Sequence, residues 1–461
     1  MDDVLIIGGG PAGSTAATFL ARYGHRVTVL EKERMPREHV GESLLPFCYG
    51  LFEELGILDE MKRRYVRKPG VRFVDTDGRF RTTWCFRHVI KDDSYLSFHV
   101  PRADFDLLLL ENSERAGARV QQQTRAQQVD LDSGDGRVEV RTVGPRGESH
   151  THTARFLIDA SGRDALLATR HRWKKPHDGL DRAALSTHWT GARFREGIEE
   201  GLLQICYLGG EKQGWIWVIP IAPGRLSVGV VLNHSYIRSE RARLIGGGVE
   251  DWREALYRQE LMSSDFVASL LEEAEIAMPL MFNGDYSYSA QVKYGSNFAI
   301  VGDASAFIDP IFASGVYLSM NSARLVAAAV HVRLTGEEGD GRDPLAEAYR
   351  HINGAYALVD RAIRLFYNPE SLNFAQIGSA GQLLHEGQEN ALAIGHYLIA
   401  GDFFSRHERY HRFLDVLQDP KILRRFKSDF IDRAEFQAST CGIGPEEVFG
   451  KILGGIEAGK R

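Results

Sequence analysis

Residues 4–13, Val4-Leu5-Ile6-Ile7-Gly8-Gly9-Gly10-Pro11-Ala12-Gly13, decide how this chain is read. Val4 to Ile7 is an unbroken apolar run, the mark of a strand buried on both faces. Ala12 to Tyr23 suits a helix with small residues facing inward, and Arg26 to Leu30 is a second strand, so the chain opens as a βαβ unit on a parallel sheet. Each small residue of the turn has its own task. Gly8 permits the tight turn, Gly10 lets a pyrophosphate approach backbone N–H groups, and Ala12 and Gly13 keep helix and strand close. The helix N-terminus adds a field that favours an anion. Glu31 closes the second strand about 20 residues on, placed to accept from ribose hydroxyls. A plain βα turn with an exposed carboxylate is the alternative; glycines, flanking periods and acid spacing together weigh against it. A second triple glycine, in Leu244-Ile245-Gly246-Gly247-Gly248-Val249-Glu250, has neither a strand before it nor a small-residue helix after it and reads as a loop. With a single fingerprint, the chain is expected to hold one dinucleotide, without a second fold for a nicotinamide.

Outward from this turn, 461 residues with 43% hydrophobic and 26% charged content describe a globular chain of two or three domain equivalents. Lys and Arg number 56 against 62 Asp and Glu, a net charge of −6, which gives no global cationic field for a nucleic-acid partner. Cys48, Cys85, Cys206 and Cys441 lie far apart, with no metal-type spacing and no dense disulfide framework. A reducing cytoplasm suits them. The start lacks a secretory signal pattern, and no stretch of about 18 apolar residues suggests a membrane span. Ser43 to Arg64 reads as helical and Phe105 to Arg115 likewise. Val138 to Val143 and Ala154 to Asp159 read as strands, and Leu202 to Tyr207, Gly214 to Ile219 and Leu226 to Leu232 form a strand-rich layer. Beyond Asn321 the pattern is helical, broken at Gly336 to Gly341. The fold class is α/β, a Rossmann-type dinucleotide-binding domain with a β-rich substrate layer and a helical C-terminal region.

Three separated segments identify the dinucleotide. Val100-Pro101-Arg102-Ala103-Asp104-Phe105-Asp106, Asp159-Ala160-Ser161-Gly162-Arg163-Asp164 and Gly302-Asp303-Ala304 resemble the recurring pieces of the FAD-dependent oxidoreductases related to aromatic hydroxylases. The resemblance implies FAD, with Arg102 and Asp303 as cofactor contacts. For Asp303 taken alone, a helix N-cap is the simpler role.

Further segments resemble the flavin-dependent halogenases of the phenol and pyrrole type. Gly214-Trp215-Ile216-Trp217-Val218-Ile219-Pro220 matches that family's W-x-W-x-I-P signature. Residues two apart on a strand face the same way, so Trp215 and Trp217 present two indoles on one side. The resemblance implies that they hold flavin and organic substrate apart; ordinary aromatic packing on a sheet is the alternative. Lys68, in Arg67-Lys68-Pro69-Gly70-Val71, stands where the family has a lysine that receives hypohalous acid, as a haloamine or by hydrogen bonding. Judged by its neighbours Lys62, Arg63, Arg64 and Arg67, it is instead one of a row of exposed cations at a helix end. Arg37 and the stretch His39-Val40-Gly41-Glu42-Ser43-Leu44-Leu45-Pro46 look like the family's loop beside the isoalloxazine, where Ser43 or Glu42 could equally cap a helix. Asp309-Pro310-Ile311-Phe312-Ala313-Ser314-Gly315-Val316 resembles the stretch that binds chloride or bromide; Ser314 as an N-cap is the alternative. Pro69 replaces an aromatic residue common after the family lysine. Phe312 replaces the glutamate of the tryptophan-halogenating branch.

The resemblance implies halogenation of an activated aromatic ring by reduced FAD, oxygen and halide, with FADH2 supplied by a separate flavin reductase. The oxidant would pass Trp215 and Trp217 on its way to Lys68. The substrate is a small phenol or pyrrole, free or on a carrier protein. Residues 1–330 form the FAD-binding core, with the substrate-side sheet at about 185–290 inserted, and 331–461 a mainly helical end. An FAD monooxygenase, an isoprenoid-type flavin reductase or a non-catalytic flavin-binding scaffold share the FAD pieces and stay open at this level.

Overall fold

The computed structural model describes residues 1–76, 78, 81–134, 136–195, 197–284, 287–336, 341–368, 391–405, 407–418, 421, 440–444 and 446–449. The break expected at Gly336 to Gly341 is present: Gly336, at φ 71°, ends the helix Gly315–Thr335, and the next helix, Pro344–Tyr367, opens beyond it. Residues 337–340 and much of the helical end lie outside the described residues.

A seven-stranded sheet carries the dinucleotide turn, running from Arg119–Gln121 through Val27–Leu30, Asp2–Ile7, Ser149–Asp159 and Val138–Val143 to Arg125–Asp130; Phe298–Ile300 also pairs with Ser149–Asp159. Asp2–Ile7 is parallel to both neighbours, and Val4, Leu5 and Ile6 are fully buried, as a continuous apolar run requires. Ile7 pairs with Asp159 and Asp159 with Ile300, so three strand ends line up at the carboxyl edge. Gly8 and the Gly302-Asp303 pair leave the sheet there, where open α/β sheets bind ligands. The helices Pro11–Arg22, Arg102–Arg115 and Gly315–Thr335 pack together on this sheet, with Ala16, Ala17, Ala323 and Ala327 fully buried. Side chains that small let helix backbones approach closely.

The second sheet has eight strands, from Glu275–Ile276 through Arg182–Thr190, Arg225–Asn233, Gly214–Ala222, Leu203–Leu208 and Gly70–Val74 to Arg81–Cys85, with Met281–Asn283 also on Arg182–Thr190. Both of its faces are apolar. Trp215, Trp217 and Ile219 turn toward the first sheet, while Ile216 and Val218 face the helices His234–Gly246 and Trp252–Met262 through Leu244, Leu256 and Leu261. That period of two is the alternation the tryptophan spacing predicts.

Two local expectations are corrected. Ser43 to Arg64 is helical only in part: a 3-10 turn Pro46–Cys48 leads into helices Tyr49–Leu55 and Leu58–Arg64, separated by Gly56 at φ 72°, and Ser43 is bridged to His99. The second triple glycine is a loop as read: Gly246 is the last residue of the helix His234–Gly246, and Gly247 and Gly248, the latter at φ 81°, form the turn after it. The four cysteines are not four separate thiols, because folding joins Cys85 to Cys441 in a disulfide across 356 residues. Cys48 and Cys206 are free and buried. Among the described residues, no helix is long and apolar enough to cross a membrane.

Candidate active site

Between the two sheets runs a cavity of about 580 Å³. It is lined by Gly8, Gly10, Ala12 and Glu31 from the dinucleotide turn, by Trp215 and Trp217 from the second sheet, and by Arg37, Ser43, Arg102, Asp303 and Gly315. Its volume falls within the range of cofactor clefts, about 300–1,000 Å³. Gly13, Ser314 and Lys68 stand behind this wall.

The turn fits a pyrophosphate for a steric reason. Gly8 has φ +102°, and a Cβ there would come within 2.2 Å of the Ala160 carbonyl oxygen; a Cβ on Gly13 would lie 1.9 Å from the Gly8 oxygen. Only glycine lets strand and helix close to this distance. Glu31 does more than its spacing implied: its carboxylate accepts the Gly9 N–H at 2.6 Å and the Glu33 N–H at 2.8 Å, holding the turn while facing the cavity. Asp303 lies inside the short turn Gly302–Ala304 and accepts the Ser319 hydroxyl at 3.3 Å. Burial pushes its carboxyl up to about 6, against the pull of Arg102 and Arg163. The Ser43 hydroxyl is buried without a hydrogen-bond partner, so it does not cap a helix. A glycine cradle and a carboxyl at the sheet edge together fit FAD.

Arg102 is committed inward. Its guanidinium grips Asp106 through two hydrogen bonds, 2.8 and 2.9 Å, and donates a third to the Val40 carbonyl at 2.5 Å, while Arg37 reaches the same Asp106 at 3.2 Å. The pair pins the loop from Arg37 to Ser43 along the cavity. A chain not legible in the sequence anchors the same loop from the other sheet. Arg225 donates to His188 Nδ1 at 3.0 Å, and His188 Nε2 meets Glu42 at 3.1 Å. Arginine can only donate, so Nδ1 accepts and Nε2 carries the proton given to Glu42. Burial would raise the Glu42 carboxyl, but the His188 hydrogen bond and the Gly41 N–H hold it below its ordinary value.

Trp215 and Trp217 share one face, their rings 5.7 Å apart, and Trp217 lies over Gly229, where a Cβ would come within 2.2 Å of the indole. The Trp215 N–H donates to the Tyr367 hydroxyl at 2.8 Å, which in turn donates to Asp309 at 2.8 Å; Asp309 also accepts the Ile311 N–H at 3.1 Å. Tyr367 thus ties the indole wall to the turn that precedes Ser314. Tyr367→Phe leaves the indole N–H without its acceptor and takes one donor from Asp309, and is expected to cost about 2 kcal/mol. Thermal unfolding and tryptophan emission check this; an unchanged melting temperature would mean that the link bears no strain.

Ser314 precedes the 21-residue helix Gly315–Thr335, yet its hydroxyl makes no capping bond and is buried without a partner. A free hydroxyl beside the N–H groups of a long helix start can hold a halide. Phe312 is buried against the Phe366 ring, 6.3 Å away edge to face.

Lys68 is not a helix-end cation. It ends the short strand Val66–Lys68, paired with Ser97–His99, and has no exposed surface, whereas Arg63 and Arg64 are outside and paired with Glu60. Its ammonium donates to the Leu44 carbonyl at 3.0 Å, with the Phe86 ring 5.4 Å away. Burial lowers its pKa to about 7, with no carboxylate among the causes. The tryptophan strand lies against both of these short strands.

These features define an FAD-binding flavoprotein with a dry amine behind its cofactor groove, and residues 1–358 match the FAD binding domain family. A tryptophan 2-halogenase of Chondromyces crocatus is 34% identical over 387 residues, covering 83% of this chain and 71% of the relative. A 1H-pyrrole-2-carbonyl peptidyl-carrier protein chlorinase of Pseudomonas fluorescens is 30% identical over 350 residues, 71% of this chain and 75% of the relative. The solved myxobacterial chondrochloren halogenase CndH superposes with a TM-score of 0.69 at 28% identity, covering 92% of this chain and 99% of that one. The chain belongs to the flavin-dependent halogenases.

Proposed function

We propose that this halogenase places chlorine or bromine on a phenol or pyrrole, free or tethered to a carrier protein, with a separate flavin reductase supplying FADH2. Bound reduced FAD, with oxygen, supplies the two-electron oxidation that makes halide electrophilic. Gly8, Gly10 and Ala12 receive the pyrophosphate, with Gly13 holding the helix start against the strand behind them, Glu31 receives the ribose, and Arg37, Ser43, Arg102 and Asp303 the remainder of the cofactor. Ser314 and Gly315 hold the halide at the start of their helix. Trp215 and Trp217 exclude the organic substrate from the flavin side, and Lys68 receives the oxidised halogen and presents it to the ring.

The observation that carries this reading is the burial of Lys68, with its amine lowered to about 7. A neutral amine is a nucleophile, and a dry one is protected from quenching by water. Phe312 in place of a carboxylate favours rings activated enough to stabilise the arenium cation themselves. The carrier-linked substrate in the name of one relative keeps tethered pyrroles in the panel. The test supplies reductase, NADH, FAD, oxygen and either halide to phenols and to free and carrier-bound pyrroles, and reads isotope patterns by mass spectrometry. Halogenated product is expected. Hydroxylated product without halogen would instead mean a monooxygenase.

A further inference from the structure

Three polar side chains near Lys68, each more than nine-tenths buried, have atoms without hydrogen-bond partners: Ser43 Oγ, Ser97 Oγ and His99 Nδ1. Buried polar groups are nearly always satisfied by protein, water or ligand, so three on one surface can receive a small polar molecule. Strand register puts them on one surface. Ser43 bridges His99, His99 pairs with Val66, and Ser97 pairs with Lys68, all antiparallel. Residues directly opposite in antiparallel pairs share a face, as do residues two apart along a strand. Ser43, His99, Ser97 and Lys68 therefore stand on the same side. Ser43 is the member that lines the FAD groove, and Lys68 is the far end. The lysine ammonium reaches the carbonyl of Leu44, the residue after Ser43.

The histidine's protonation is fixed by its partner. His99 Nε2 lies 2.9 Å from the Gly201 carbonyl oxygen, which can only accept, so Nε2 carries the proton and Nδ1 presents a bare lone pair. We propose that Ser43, His99 and Ser97 form the polar surface along which hypohalous acid passes from the FAD groove to Lys68, with His99 Nδ1 accepting its O–H. The inference rests on the halogenase reading, in which Lys68 is the receiver. Hypohalous acid is small and neutral, with one donor and lone pairs to accept. Two hydroxyls and an imidazole nitrogen match it, while the indoles of Trp215 and Trp217 form an apolar boundary. His99 is on this view a positioning residue: it forms no bond to the halogen and keeps the oxidant in register with the amine.

The experiment measures halogenated product per FADH2 oxidised, together with oxidant escaping to an excess of methionine in solution, for His99→Leu, His99→Gln and Ser97→Ala. His99→Leu and Ser97→Ala are expected to lower product per flavin about tenfold, the equivalent of one hydrogen bond. Methionine sulfoxide should rise correspondingly, with FAD affinity and the halide KM unmoved. His99→Gln can donate to Gly201 and still offer an acceptor, so it should recover most of the coupling. Unchanged coupling in the folded variants, or a loss that tracks FAD affinity, would overturn the proposal. If the wild type itself made neither halogenated product nor methionine sulfoxide, it is the halogenase chemistry that would fail.

Discussion

Lys68→Ala is expected to lower halogenated product by about three orders of magnitude, the scale on which loss of a group used only in the reacting state is felt, while FAD still binds and is still oxidised. The groove does not include the lysine, so removing it leaves the cofactor's contacts in place. The pH profile supplies a second readout. Below a pH of about 7 the amine is an ammonium and cannot attack; above it the amine is free, so product formation should rise through about 7 and level off. Stability runs with a matching sign. The amine titrates at 10.5 when exposed and at about 7 when folded. Above 10.5 both states are neutral and burial has no titration cost. As pH falls toward 7 the unfolded chain takes up a proton that the folded chain refuses, so stability declines, and below 7 the loss is complete at about 5 kcal/mol. Lys68→Met should accordingly be more stable than the native enzyme at neutral pH, by several kcal/mol, with the gap closing toward pH 10.5. Denaturant unfolding at both ends of that range tests this. Undiminished product from Lys68→Ala would remove the amine from the reaction.

What the sequence made legible was enforced locally. The strand, turn and helix around Gly8 to Gly13 could be read because each glycine answers to an atom a few residues away, and the indole pair because a strand fixes the faces of residues two apart. The burial of Lys68 was hidden among cationic neighbours, since the segments that cover it, Leu44 to Cys48 and Ser97 to His99, arrive from elsewhere in the chain. The same holds for Glu42 and His188, 146 residues apart, and for Cys85 and Cys441, 356 apart. No spacing rule reaches such pairs. The helical stretch read from Ser43 to Arg64 held only in part: Gly56 in the left-handed region ends one helix before the next begins.

Gly13 of the first turn and Gly246 of the second triple glycine supply the sharpest steric test of the cofactor site. A methyl group on Gly13 would lie 1.9 Å from the Gly8 carbonyl oxygen and 3.0 Å from its carbon, and both are backbone atoms without a rotamer to change. Gly8 cannot retreat, because its own space ends at the Ala160 carbonyl and its φ of +102° is closed to other residues. Gly13→Ala must therefore lift the start of the helix off the strand. The N–H groups and helix dipole then lose the pyrophosphate position, and FAD affinity should fall about a hundredfold or more, equivalent to ~3 kcal/mol of forced overpacking. Gly246 is the control: a Cβ there meets nothing within 4 Å, and its backbone carries no positive φ. Gly246→Ala should bind FAD as the native chain does and melt at the same temperature or slightly higher, since alanine restricts the unfolded chain more than glycine. Flavin fluorescence titration of the two variants decides the matter. Equal affinities would show that the first turn does not carry the cofactor, whereas loss at Gly13 alone ties FAD binding to the distance between one strand end and one helix start.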